Sequence, residues 1–267
     1  MKVFVAALGA VVVLTAPLTA QSYAAFAARR PADFSAPVWS DQDITGLLGT
    51  LDQVLGSAPA GTAWRDAAAD ALWQFARRTQ SARLSKTQET RVLGHLDRIG
   101  RSRPEAAPLV SGSRRIVSAL AVGKTAPDIS GRDLEGRPFK LTDYRGKVVL
   151  LAFTADWCAI CRVQAPYERF LLDKYARWPF AILAVETGSS REAARQAHAA
   201  SPLSNRSWWD DPRPGENGGP IAAAWNVTGW PATYLIDADG VIQFVDVREE
   251  SMLIAVRQLV ESQADRK

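Results

Sequence analysis

Cysteine and histidine are scarce in this chain, with two of each among 267 residues. Two cysteines cannot build the multi-bridge framework of a small secreted scaffold. They also leave a four-ligand zinc site incomplete, because His95 and His198 lie far from them in sequence. Strong charge of one sign is missing as well, the formal net charge being +4. Residues 121–267 carry 18 basic and 19 acidic side chains, so the positive excess sits in the first 120 residues. Arginines spread over helical stretches read as a solvated face, and nucleic-acid binding is not expected. Past the N-terminus no apolar run approaches the roughly 20 residues of a membrane span. No metal and no cofactor is expected. What is present is an ordinary apolar fraction, 47%, in a chain long enough for two domains with full cores.

The N-terminus reads as an export signal. Lys2 is a positive leader, Val3 to Leu14 is uncharged and apolar, and Ser22-Tyr23-Ala24 or Ala25-Phe26-Ala27 offers a small-x-small cleavage site. Residues 1–24 are therefore assigned as a signal peptide, and the protein as exported, periplasmic or otherwise extracytoplasmic. An uncleaved signal would make it a membrane tether. Residues 25–40 form a linker, Pro- and Ala-rich from Arg29 to Pro37. Residues 41–120 are expected to be a small all-helical domain that positions or recruits rather than reacts. Ile44, Leu47, Leu48, Leu51 and Leu55 recur at helical spacing after Ser40, a candidate N-cap. Trp64, Ala68, Leu72, Phe75 and Ala76 form a second stripe. Leu84, Val92, Leu96 and Ile99 form a third, opened by the Ser85/Gln88 capping-box pattern, and Pro104 starts a fourth, weaker helix. His95 lies near the third stripe and reads as a packed or surface residue.

The periodicity changes near Val122. Lys147 to Thr154 and Phe180 to Val185 are continuous apolar runs suited to strands buried on both faces. Ala232 to Ile236 and Val241 to Val245 flank Asp237-Ala238-Asp239-Gly240, a hairpin turn signal. Helices are expected over 158–175, 191–200 and 252–263. The order β-α-β-α-β-β-α, with a long connection before the hairpin, describes an α/β thioredoxin-like fold over 121–267: a mixed central sheet with flanking helices.

Trp157-Cys158-Ala159-Ile160-Cys161-Arg162 lies where the first buried strand hands over to a helix. A cysteine at a helix start meets unpaired N–H groups and the positive end of the helix dipole, which favour the thiolate that attacks disulfides. Cys158 is the candidate nucleophile. Cys161, one turn on and expected to be less exposed, is the candidate resolving thiol. The pair closes too short a loop to serve as a staple. About 70 residues later comes Gly229-Trp230-Pro231-Ala232-Thr233. Thioredoxin folds carry a cis proline here, facing the cysteines across the substrate groove; the alternative is an ordinary strand-entry proline. Trp157 is expected to shield the pair and, with Trp230 and Pro231, to form the groove. Trp208, Trp209 and Trp225 are weaker groove candidates, with burial in the core an equal alternative for Trp225.

Gly123-Lys124-Thr125-Ala126-Pro127-Asp128, Asp133-Leu134-Glu135-Gly136 and Leu141-Thr142-Asp143-Tyr144-Arg145-Gly146-Lys147 resemble the opening of TlpA/ResA-type thioredoxin-like proteins. The likeness runs from Val122 to the C-terminus, and Trp208-Trp209-Asp210 with Trp225 to Pro231 is similar to a branch of exported bacterial redoxins. It implies an exported thiol–disulfide oxidoreductase, often membrane-tethered, whose partners are protein thiols and disulfides and an upstream electron donor, membrane-bound in some members. Two departures bear on proton transfer. Thioredoxins carry an Asp six residues before the first cysteine, where this chain has Ala152, and ResA-type proteins carry a Glu three residues after the second, where it has Gln164. Gln164 and Glu186 are the remaining candidates for proton handling. Two rivals share the fold: a peroxiredoxin-type peroxidase, which needs Ser or Thr where this chain has Ala155, and a redox-inert binding module, which has no use for two intact cysteines.

Overall fold

A computed structural model of the chain describes residues 38–57, 62–212, 216 and 218–264. The export signal and most of the linker assigned above lie outside the described residues. Four helices come first: α1 (Asp41–Ser57), α2 (Thr62–Gln80), α3 (Lys86–Ser102) and α4 (Ala107–Arg115). The Pro104 signal resolves into a short 3-10 turn, Pro104–Ala106, leading into α4, and a wide π-helical turn, Ile116–Leu120, ends the region. Caps start the helices where the sequence predicts them. The Asp43 N–H donates to Ser40 Oγ at 3.2 Å, and the Asp43 carboxylate accepts from the Ser40 N–H at 2.7 Å. In the Ser85 box the Gln88 N–H donates to Ser85 Oγ at 3.2 Å, and Gln88 Oε1 accepts from the Ser85 N–H at 3.0 Å. The apolar stripes close on one another: Ile44, Leu48, Leu51, Leu72, Phe75, Val92 and Leu96 share a buried core. His95 is buried beside them, with Nε2 2.8 Å from Asp52 Oδ1.

A five-stranded mixed sheet follows, in the order β5-β4-β3-β6-β7. Its strands are β3 (Val148–Ala155), β4 (Phe180–Thr187), β5 (Arg206–Trp209), β6 (Ala232–Ile236) and β7 (Ile242–Val245). β3, β4 and β5 run parallel, whereas β6 and β7 pair antiparallel to their neighbours. A separate hairpin, β1 (Ser130–Arg132) with β2 (Pro138–Lys140), precedes them. The helices are α5 (Ala159–Lys174), α6 (Arg191–Ala200), α7 (Pro220–Ala224) and α8 (Glu249–Ala264). The expected α/β thioredoxin-like order is present, with β5 and α7 inside the long connection and the β1–β2 hairpin ahead of it. These pieces escape a periodicity reading because each has five residues or fewer and two of them are largely polar.

Successive residues of β3 face opposite sides. Val149, Leu151 and Phe153 enter a core with Phe139, Trp208, Trp225 and Tyr234. That core also holds Ala76, Ile116 and Leu120 from the helical region. Polar contacts follow the same seam. Gln80 Nε2 donates to Tyr234 Oη at 3.0 Å and to the Leu120 carbonyl at 3.2 Å, and Trp73 Nε1 donates to Thr228 Oγ1 at 3.3 Å. Arg77 forms an ion pair with Asp246. The helical region thus covers one face of the sheet through α2 and the π-helical turn. The crossover helices α5 and α6 lie together on the other, lining one cavity against Ala152 and Ala184.

Candidate active site

β3 is buried on both faces and ends at Ala155, so the chain leaves the sheet at Asp156-Trp157 and turns into α5. Asp156 anchors that turn. Its carboxylate accepts from the Ser189 N–H at 2.9 Å and from the Ser189 hydroxyl, joining the ends of β3 and β4. Burial opposes its charge, but the Ser189 hydrogen bonds outweigh it and hold the carboxyl below the usual range. Gly188 sits against this carboxylate at φ 152°, where any Cβ would collide with it.

Cys158 is the N-cap residue of α5, and its Sγ accepts the Cys161 N–H at 3.1 Å. The two cysteines are joined as a disulfide, with Cα atoms 5.3 Å apart. Cys161 was expected to be the less exposed thiol. Instead both are buried, Cys158 5% exposed and Cys161 7%, under Ala155 and Trp230. What distinguishes them is position: Cys158 Sγ caps the helix, whereas Cys161 lines a cavity behind it.

The rim is apolar. Trp157 is 51% exposed and meets Trp230 edge to face at 5.5 Å, and Ile160 and Val163 are also exposed. The Trp230–Pro231 peptide bond is cis. Ala232 pairs with Phe153, so Pro231 lies beside the end of β3, next to the cysteine turn. The Pro231 carbonyl accepts from Arg248 Nη2 at 3.0 Å. Trp157, Trp230 and Pro231 are thereby brought together around the disulfide. Trp208 and Trp225 are not at the groove. Trp208 stacks on Phe139 at 3.9 Å, and Trp225 packs against Phe153 and Tyr234, both fully inside the core. Their flat apolar area fills the core, Trp208 against the β1–β2 hairpin and Trp225 against β3 and β6.

The acid–base groups are distributed differently from the sequence pattern. Gln164 is buried and committed to α8: its Oε1 accepts the Glu249 N–H at 2.8 Å. Behind Cys161, between α5 and α6, lies a cavity of about 310 Å³. Ala152, Ala165, Ala184 and Ala194 give it room, and Glu186 and Glu168 project into it. Glu168 was missed in the sequence. The available signal was its place seven residues after Cys161, which is two helical turns along the same face. Burial, with a smaller effect from Glu186, pushes the Glu168 carboxyl up from 4.5 to about 8. Burial also raises Glu186, partly offset by Ser207 and His198. A carboxylic acid that holds its proton at neutral pH can exchange it with a thiol of comparable acidity.

Known proteins are similar to the second half of the chain. The family described as AhpC/TSA matches residues 122–245. The chain is 36% identical over 126 residues to the thiol-disulfide oxidoreductase ResA of Geobacillus thermodenitrificans, covering 47% of this chain and 69% of that one. It is 36% identical over 125 residues to the thioredoxin-like protein YneN of Bacillus subtilis, covering 47% of this chain and 71% of that one. The thioredoxin domain of a thiol-disulfide oxidoreductase from Bacteroides vulgatus is 25% identical at a TM-score of 0.46, covering 53% of this chain and 99% of that domain. With a Cys-x-x-Cys disulfide at a helix start and sequence identity spanning more than two thirds of curated relatives, the chain belongs to the ResA-type family of thioredoxin-like thiol–disulfide oxidoreductases.

Proposed function

We propose that this oxidoreductase works outside the cytoplasm as a reductase of protein disulfides, with Cys158 as the attacking thiolate and Cys161 as the resolving thiol. The observation that carries the reading is the place of Cys158 Sγ at the N-cap of α5, where it receives the Cys161 N–H. An anion there is stabilised by the helix start, so the reduced thiol ionises more readily than a free cysteine. Attack on a substrate disulfide forms a mixed disulfide on Cys158 and expels one substrate thiolate. Cys161 then attacks Cys158 Sγ, re-forming the internal bond and releasing the second thiolate. The exposed Trp157, Ile160 and Val163, with Trp230 and Pro231 alongside, suit an extended apolar segment of a protein substrate. An upstream donor, membrane-bound or soluble, must return two electrons after each turnover. Export rests on the Lys2 and Val3 to Leu14 pattern, and no described helix is long and apolar enough to cross a membrane. The proposed organisation is signal 1–24, linker 25–40, helical region 41–120 and redox region 121–267.

The test is a pair of serine variants with an insulin-type disulfide substrate. Cys161→Ser should accumulate a mixed disulfide through Cys158, and Cys158→Ser should abolish exchange. Accumulation in the Cys158→Ser variant instead would reverse the roles.

A further inference from the structure

The cavity behind Cys161 joins groups from four elements that a reading of the redox pair alone does not connect. Cys161 and Glu168 come from α5, Glu186 from β4, Ala152 from β3 and His198 from α6. Ala152 stands where a longer side chain would fill the space, and Gln164 is turned away to cap α8. The Glu168 carboxyl has no hydrogen-bond or ion-pair partner among the described residues, although the residue is only 9% exposed. A buried acid left without a partner costs stability that a neutral aliphatic side chain would not.

From this shared cavity we infer that Glu168 and Glu186 form a proton-holding pair that takes the Cys161 proton when the mixed disulfide is resolved and returns it to solvent afterwards. The inference rests on the Cys158/Cys161 assignment. Two carboxyls in one desolvated space resist carrying two negative charges at once, so a proton delivered to either is retained by the pair. Burial holds both carboxyls above the usual range, in agreement with this sharing. The balance is simple. Cys161 S–H gives its proton to the pair, and the resulting thiolate attacks Cys158 Sγ. The Cys158–Cys161 bond forms, and the bond from Cys158 to the substrate sulfur breaks. The electron pair leaves with the substrate thiolate. The other titratable or charged groups facing the pair are His198 of α6, Asp156 and Arg162 at the cavity mouth, and Glu135 of the β1–β2 turn.

The test uses full-length reduced protein and one equivalent of an aromatic disulfide whose thiolate absorbs visible light. The first thiolate released reports attack by Cys158, and the second reports resolution by Cys161. Glu168→Gln and Glu186→Gln are isosteric with the neutral acids and should fold. In the double variant the second release should slow about tenfold or more near neutral pH, the lower end of what a positioned base supplies. Its rise with pH should move to higher pH, while the first release stays within about twofold of the parent. Glu168→Asp should recover part of the pH profile. A second release of unchanged rate and pH profile in the double variant would overturn the proposal. So would Glu168→Asp behaving as Glu168→Gln, since that marks a purely steric role. If the parent protein releases no second thiolate, the Cys161 assignment itself fails and the proposal falls with it. An unaltered first release separates that failure from a loss of folding.

Discussion

The two faces of the sheet are built from alternate residues of the same strands, yet they differ in kind. On one face Val149, Leu151 and Phe153 pack against Trp208, Trp225, Tyr234 and the helical region, as a dense aromatic core. On the other, Leu150, Ile182 and Leu171 are buried as well, but Ala152, Ala184 and the alanines of α5 and α6 leave a cavity lined by two acids and Cys161. Close packing stabilises, whereas a cavity with buried acids costs stability. The contrast shows where the fold is secured and where reactivity is accommodated. It also explains why a long helical region without reactive groups matters to an oxidoreductase. Ala76, Ile116 and Leu120 complete the aromatic face, and α2 braces the segment before Pro231 through Trp73 and Thr228.

The largest expected effect comes from the packed face. Phe153→Ala should cost about 3–5 kcal/mol by the usual cost of truncating a buried aromatic, read as a shift of the urea midpoint. A chain beginning at Ala121 lacks the helical cover of this face altogether and should lose cooperative unfolding. Retention of a sharp transition in that chain would mean that the two regions are secured independently.

The cavity face should reveal itself through pH. Glu168 titrates near 4.5 when unfolded and at about 8 in the fold. Between those values the folded state holds a proton that the unfolded chain has released, so stability is full below about 4.5 and falls as pH rises through about 8. The decline should be on the order of a few kcal/mol. Glu168→Gln should flatten it, as seen in urea midpoints compared at about pH 5 and about pH 8.5, on either side of that titration. Parallel curves for variant and parent would remove Glu168 as the source.

A smaller effect is expected at Gln164, which links α5 to the start of α8. Gln164→Ala removes its hydrogen bond to the Glu249 N–H and should cost about 1 kcal/mol, the net worth of one such bond. Thiolate release from Cys158 should stay unchanged. A slowed first release would give Gln164 a part in the chemistry that its committed oxygen does not suggest.

The strands nearest the site were legible because their physics is local. β3 and β4 are buried on both faces and therefore read as unbroken apolar runs, and the Ser40 and Ser85 caps announce α1 and α3. The Cys pair and the Trp230–Pro231 turn were legible from residue type and spacing. The cavity was not, because its alanines come from β3, β4, α5 and α6, and no window of sequence contains them together. Glu168 looks like a solvated residue between Tyr167 and Arg169, and only the fold buries it, in a cavity lined by α5, β4 and α6. Trp208 and Trp225 sit in a tryptophan-rich stretch that suggests a groove, but β5 and α7 turn them inward. Both elements are too short to declare their faces.

The proposed roles require the start of α5 to make Cys158 the reactive thiol, although both cysteines are buried. The most direct measurement is alkylation of the reduced protein at about pH 6, well below the ordinary thiol titration at about 8.5, with the labelled peptide identified by mass spectrometry. Cys158 should be modified first, with Cys161 following only as the pH rises. Modification of Cys161 first, or of both at one rate, would contradict it.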